Sequence, residues 1–261
     1  MDLDLKGKRA LVCGSTQGIG KASAVELALL GASVTLLSRN EDALRAAVSE
    51  LPVSSGQQHN FLVADFSQPQ SVQLVIQKFT KDNNVHILVN NTGGPPAGPA
   101  LEAKPEAFEQ AFSAHLSCNQ LLVQAVVTGM KKENFGRIIN IISTSVKVPI
   151  RGLGVSNTIR GAVASWAKTL SVELAPFGIT VNNVLPGATM TGRLSSLIQT
   201  KADKTGRPFE EIQSEMIAEI PAGRICEPHE VAAAVAFLAS PAAGYINGIN
   251  VPVDGGRTGC L

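Results

Sequence analysis

The sequence predicts an α/β protein: one doubly wound parallel sheet of about seven strands, with helices on both faces. Three observations lead there. Short runs rich in Val, Ile and Leu alternate with longer amphipathic segments along the whole chain. The short runs are apolar almost without interruption, which suits strands buried on both faces. A glycine-rich turn joins the first such run to the first amphipathic segment.

Taken in order, the strands are expected at 9–13 (RALVC), 33–37 (SVTLL), 60–64 (NFLVA), 86–90 (HILVN), 137–142 (RIINII), 179–184 (ITVNNV) and 249–253 (INVPV). Helices are expected between them at 18–30, 41–50, 69–81, 105–131, 155–174 and 227–239. SQPQS ahead of residue 72 and EPHE ahead of residue 231 carry helix-start chemistry, with Pro near the first turn. TGGPPAGPA (92–100) directly follows a strand and reads as a rigid loop at a strand end. Segment 188–225 breaks the strand–helix rhythm, is more polar, and follows a strand end; it is read as a lid over a cleft rather than a simple surface excursion.

The chain of 261 residues, 44% apolar and 16% charged, is read as a single domain over 1–261 with enough apolar material for a sizeable core. A net charge of +1 and no basic run longer than two residues speak against a nucleic-acid partner. The start MDLDLKGKR has no apolar h-region, and no stretch of about 18 apolar residues is available to span a membrane. Cys13, Cys118, Cys226 and Cys260 show no CxxC spacing and read as reduced thiols of a cytoplasmic protein. The four histidines form no metal motif.

VCGSTQGIG (12–20) lies between the first strand and the first helix. Gly14, Gly18 and Gly20 let backbone meet backbone at the turn, and the helix N-terminus, with Ser15 and Ile19 in the same loop, offers free N–H groups to a pyrophosphate. The next strand ends in LLSRN (36–40). A dinucleotide site often has an acid there against the ribose 2′-hydroxyl. Here Ser38 and Arg39 stand instead, with no carboxylate to repel a 2′-phosphate and a guanidinium to clamp it. NADP(H) is therefore expected over NAD(H), held by Arg39 with help from Ser15 or Ser38.

The order of these pieces resembles the short-chain dehydrogenase/reductase family, in particular its 3-oxoacyl-ACP-reductase-like branch, over almost the whole chain. The resemblance implies a Rossmann-like fold. The family's glycine loop matches Gly14–Gly20, and its adenine-contacting Asp matches Asp65 in VADF. Its NNAG motif is NNTG here, Asn90 to Gly93, placing Asn91 and Gly93 at the cofactor. Its PG pair is Pro186–Gly187, followed by Thr189 and by Thr191, which matches the threonine at the nicotinamide amide; VDGG closes the chain at 253–256. The family also implies a homotetramer paired through helices 105–131 and 155–174 and through the last strand.

The four catalytic positions depart from the family. Ser143 matches its serine, but Ser156 stands at the tyrosine position, Arg160 at the lysine position and His115 at the asparagine position. The one tyrosine of the chain, Tyr245, matches an ordinary buried residue beside the last strand. A serine hydroxyl is too weak an acid to replace tyrosine, and Arg160 stays protonated, so it can stabilise an alkoxide or bind the cofactor by holding its ribose, but not shuttle a proton. His115 is the one group of the four whose side chain ordinarily titrates near neutrality, so it is either the candidate proton source, relaying through water, or a helix histidine hydrogen-bonded to backbone. Two functions stay open: an NADP(H)-dependent oxidoreductase interconverting a small carbonyl and an alcohol by an altered proton path, or a catalytically inactive nucleotide-binding or scaffold protein on the same fold.

Overall fold

A computed structural model describes residues 1–260. Its strands are β1 (Arg9–Cys13), β2 (Ser33–Ser38), β3 (Asn60–Val63), β4 (Ile87–Asn90), β5 (Gly136–Ile141), β6 (Ile179–Pro186) and β7 (Asn250–Val253). All pair parallel in one sheet, in the order β3-β2-β1-β4-β5-β6-β7. The helices are α1 (Gly18–Leu29), α2 (Glu41–Ser49), α3 (Pro69–Thr80), α4 (Pro105–Phe112), α5 (Cys118–Glu133), α6 (Gly154–Leu174), α7 (Gly192–Thr205), α8 (Phe209–Ala218) and α9 (Pro228–Ala239). This is the Rossmann-like sheet expected from the alternation. The sheet is built outward in opposite senses from β1 and β4, β1 to β3 on one side and β4 to β7 on the other, and this switch point opens a crevice at the carboxyl ends of those two parallel strands.

The unbroken apolar runs have a direct cause. Successive residues of β1 enter opposite cores: Ala10 and Val12 pack with α1 and α9 through Ala24, Leu27, Val231 and Val235, while Leu11 and Cys13 pack with α3, α5 and α6 through Ile76, Leu122 and Ala167. A strand covered on both faces has no side left for polar residues.

The exception is a row of buried amides. Asn90 Nδ2 donates to Asn140 Oδ1 at 2.8 Å, Asn140 Nδ2 to Asn183 Oδ1 at 2.9 Å, and Asn183 Nδ2 to Asn250 Oδ1 at 2.8 Å. Each pair occupies the same register across β4, β5, β6 and β7. The row ends at Asn90 Oδ1, which has no partner.

Three expectations are revised. The helix expected over 105–131 is interrupted: α4 and α5 are joined by a π-helical turn over Ser113–Ser117 that carries His115. Segment 188–225 contains two helices, α7 and α8, joined by their own small core of Leu194, Ile198, Ile212 and Ile225. Tyr245, expected to be buried, is fully exposed. It sits in the turn before β7, beside Asn247, whose side chain bonds the Ser171 carbonyl near the far end of α6. Ser171 lies about 16 Å along the helix from Arg160.

Candidate active site

The site is built from loops at the carboxyl ends of the strands. Between β1 and α1 the glycine loop is packed so closely that side chains do not fit. A Cβ on Gly20 would stand 2.2 Å from the Gly14 carbonyl oxygen, and one on Gly14, whose φ is +56°, would stand 2.7 Å from the Asn91 carbonyl oxygen. Asn91 locks the loop from the β4 end: its Nδ2 donates to the carbonyls of Gly14 and Cys13 at 3.1 and 3.3 Å. Gly18 is met by Thr191, whose Cγ2 would lie 3.2 Å from a Cβ there, so the start of α7 abuts the start of α1. The N-terminus of α1 has no side-chain cap and no acid in its first turn. Such an end has unsatisfied N–H groups and a partial positive charge, and so fits an anionic dinucleotide.

Ser15 differs from expectation. It is fully buried and its Oγ accepts the Leu37 N–H at 3.2 Å, so the side chain braces the loop against β2 and does not reach outward to a phosphate. Ser38 ends β2 half-exposed, and Arg39 beyond it is exposed. Its charge reaches Asp65, whose carboxyl is held below its usual range chiefly by the Ser67 backbone and in smaller part by Arg39. Gly93 is exposed with nothing within 4 Å of where a Cβ would stand. Pro186 ends β6, and Gly187 donates to the Val253 carbonyl at 2.9 Å, with its α-carbon pressed so near Asp254 that a Cβ would come within 2.7 Å. Thr189 is buried, its hydroxyl turned to the Gly187 carbonyl; Thr191 caps α7 by accepting the Leu194 N–H.

Arg160 and His115 come together around one cavity of about 10 Å³, whose walls include Asn90, Asn119 and Ile141. Arg160 is 9% exposed; its Nη1 donates to the Ile141 carbonyl at 3.0 Å, and its Nε has no partner. Burial, then the nearby charge of Arg193, lowers its pKa to about 10, so it remains a cation at neutral pH. His115 is 3% exposed. Burial and the Arg160 charge push its pKa down to about 3, against a smaller opposing effect of its hydrogen bond with the Gly93 backbone. The expectation that His115 titrates near neutrality is therefore overturned. A neutral imidazole buried beside a fixed cation does not take up a proton in that range.

Ser143 and Ser156 stand outside this cavity. Ser143 follows β5 and accepts the Ser145 N–H at 3.1 Å, which leaves its own proton to donate. Ser156 is half-buried in the first turn of α6. Its neighbour Asn157 ties the preceding loop down: Nδ2 donates to the Ile150 carbonyl at 2.9 Å and Oδ1 accepts the Ile150 N–H at 3.4 Å. The same loop is bound to 92–100 through Gly98 N to the Gly152 carbonyl at 2.7 Å and Gly154 N to the Gly98 carbonyl at 3.0 Å. Asn157, Arg193 and the amide row were not singled out from the sequence. Asn157 had a signal, since it adjoins Ser156; Arg193 had none beyond lying two residues past Thr191. Among the described residues no group of three or more His, Cys, Asp or Glu is placed to hold a metal, and no helix is long and apolar enough to cross a membrane.

A parallel sheet with its glycine turn at the switch point, an uncapped helix behind that turn and the small cavity of Arg160 and His115 beside it define a dinucleotide-binding oxidoreductase scaffold. The family described as enoyl-(acyl carrier protein) reductase matches residues 14–258. The chain is 34% identical over 255 residues to the 3-oxoacyl-[acyl-carrier-protein] reductase FabG of Vibrio cholerae, covering 97% of this chain and 98% of that one. Among solved structures, L-sorbose reductase from Gluconobacter frateurii, complexed with NADPH and L-sorbose, superposes with a TM-score of 0.93 at 28% identity over the full length of both chains. The actinorhodin polyketide ketoreductase with NADPH gives 0.90 at 30% identity, covering 97% of this chain and 98% of that one. The chain belongs to the short-chain dehydrogenase/reductase family, on its 3-oxoacyl-ACP-reductase-like branch.

Proposed function

We propose that this protein is an NADP(H)-dependent reductase or dehydrogenase that interconverts a small carbonyl compound and its alcohol, with Ser143, Ser156 and Arg160 in place of the family's serine, tyrosine and lysine. One observation carries it: the dinucleotide cradle is complete, and at the 2′ end of that cradle it presents the exposed Arg39 with no acid at the end of β2. Gly14, Gly18, Ile19 and Gly20 would hold the pyrophosphate, Arg39 and Ser38 the 2′-phosphate, Asp65 the adenine, and Asn91, Gly93, Pro186, Gly187, Thr189 and Thr191 the loop walls around the nicotinamide. NADPH-bound relatives support the same cofactor.

When bound, the reduced nicotinamide supplies the hydride. The hydroxyls of Ser143 and Ser156 donate hydrogen bonds to the carbonyl oxygen. The Arg160 guanidinium adds a fixed positive charge where the alkoxide develops. None of these groups releases a proton readily near neutrality, so the alkoxide takes its proton from water at the open side of the cleft. His115 serves as a neutral, buried brace for Gly93. Helices α7 and α8 form the lid of a single domain. We also place the protein in the cytoplasm, with its four free cysteines as support, and as a homotetramer. Phe112 on α4, Val172 on α6 and Ile249 beside β7 are exposed on the elements expected to pair.

One observation favours the second reading, a nucleotide-binding protein without turnover: no acid titrating near neutrality faces the site. Fluorescence titration with NADPH and NADH, followed by a carbonyl panel, decides between them. NADPH is expected to bind at least about tenfold tighter than NADH, and Arg39→Asp to erase the difference. Equal affinities in the wild type would refute the cofactor assignment. Tight NADPH binding with no oxidation by any carbonyl would leave the second reading.

A further inference from the structure

Arg160 and Arg193 reach the same place from different elements. Arg160 projects from α6, Arg193 from the first turn of α7, and they meet over Gly94 in the loop after β4. The point where a Cβ would stand on Gly94 lies 3.6 Å from Arg193 Nη2 and 3.8 Å from both Arg193 Nε and Arg160 Nη2. Each guanidinium is pinned by one backbone carbonyl, Arg160 by Ile141 and Arg193 by Pro95. Neither takes part in an ion pair among the described residues. One of the pair is nine-tenths buried.

Two like charges held this close, one out of water, repel each other, and beyond one carbonyl each no ion pair among the described residues offsets the repulsion. Arg193 lowers the pKa of Arg160, and burial lowers that of Arg193 itself. Such an arrangement is relieved by an oxyanion that accepts hydrogen bonds from both guanidinium forks. Gly94 keeps the approach open, because any side chain there would stand against both groups. The backbone at Gly94 is not in the left-handed region, so glycine is not required there for its conformation.

We propose that Arg160 and Arg193 form an oxyanion subsite over Gly94 that takes a carboxylate carried by the substrate, so that the preferred carbonyl compound is an oxo acid and not a neutral ketone. This rests on the reductase reading for the carbonyl, but the subsite is tested by binding alone. Arg193 then acts in specificity, and Arg160 serves both the carboxylate and the reacting oxygen.

The test is calorimetry on the full chain, without cofactor and with saturating NADPH, using matched probes: 4-oxopentanoate against its methyl ester, and benzoate against benzamide. The acids are expected to bind at least about tenfold tighter than their neutral partners in both states. Arg193→Gln is expected to remove that preference with NADPH affinity unchanged. Gly94→Asp places a carboxylate in the subsite; it is expected to remove the preference and to raise the melting temperature. Equal binding of acid and neutral probe by the wild type, no binding of any acid, or a preference that survives both variants overturns the proposal. Loss of the preference when NADPH is bound assigns the arginines to the cofactor and overturns it too, as does tighter binding of inorganic phosphate than of the acids. Acids that bind selectively but are never reduced leave the subsite standing and defeat the reductase reading. Neutral ketones reduced as well as acids do the reverse.

Discussion

His115 gives a stability prediction whose sign and size follow from its surroundings. Its pKa falls from 6.5 to about 3 because the ring is buried and faces the Arg160 guanidinium. In the unfolded chain the same imidazole titrates at its ordinary value. Below pH 6.5 the unfolded state therefore gains a proton that the folded state refuses, and the folded state loses ground. The contribution is fully present above 6.5 and is lost as pH falls toward 3. The linkage relation gives a loss of about 2 kcal/mol between pH 8 and pH 5, and about 3 kcal/mol by pH 4. His86, also lowered by burial, adds acid sensitivity of its own, so the wild type alone does not isolate the effect. The comparison is with His115→Gln, which has no titrating ring. Urea unfolding of both proteins at several pH values measures it. At pH 8 the variant is expected to be the less stable, through lost packing; the gap narrows by about 2 kcal/mol at pH 5. Two pH profiles that run parallel would show that His115 has an ordinary pKa when folded, and the account of its environment would be wrong.

Two more predictions concern the scaffold of the site. Gly20→Ala drives a methyl against the Gly14 carbonyl at 2.2 Å, so the glycine loop must open; NADPH affinity, read by fluorescence titration, is expected to fall by at least about tenfold while the far-ultraviolet circular dichroism is kept. Asn140→Ala leaves the Asn90 amide and the Asn183 carbonyl oxygen buried without their partners; it is expected to cost about 2–5 kcal/mol of stability in urea unfolding, whereas a loss under 1 kcal/mol would mean that the row is not energetically coupled.

The sheet was legible because its signal is collective. Every strand run carries the same two-sided burial, so errors of a residue or two at the ends left the order of elements untouched. The glycine loop was legible for a local reason: only glycine fits where Gly14 and Gly20 meet. The site was harder. α7 and α8 carry charged pairs such as Lys201–Glu215, which joins the two helices, and Arg207–Glu211 at the turn between them, and an apolar stripe of a few residues does not stand out against that composition. The π turn at Ser113–Ser117 leaves no mark in hydrophobic periodicity, because the helices on either side continue the pattern. The pKa of His115 was out of reach for a different reason. It depends on a neighbour 45 positions away and on burial that only the folded chain creates.

Replacing a tyrosine–lysine pair by Ser156 and Arg160 changes more than the supply of a proton. A lysine beside a tyrosine makes a titrating unit, whose charge responds to pH and to the bound ligand. Arg160 at about 10 and His115 at about 3 keep one charge state each across the whole neutral range. The cleft therefore presents a constant positive field, reinforced by Arg193 and opposed by no nearby carboxylate. Such a field is poorly suited to proton transfer and well suited to holding negative charge, whether on a developing alkoxide or on a carboxylate beside it. The amide row has the complementary role. It ends in a neutral acceptor without a partner, Asn90 Oδ1, and Asn90 lines the same cavity as Arg160, whose Nε is likewise without a partner. On the proposed reading, the absent acid and the second arginine serve one chemistry: anions are held by fixed charge and the proton is left to the solvent.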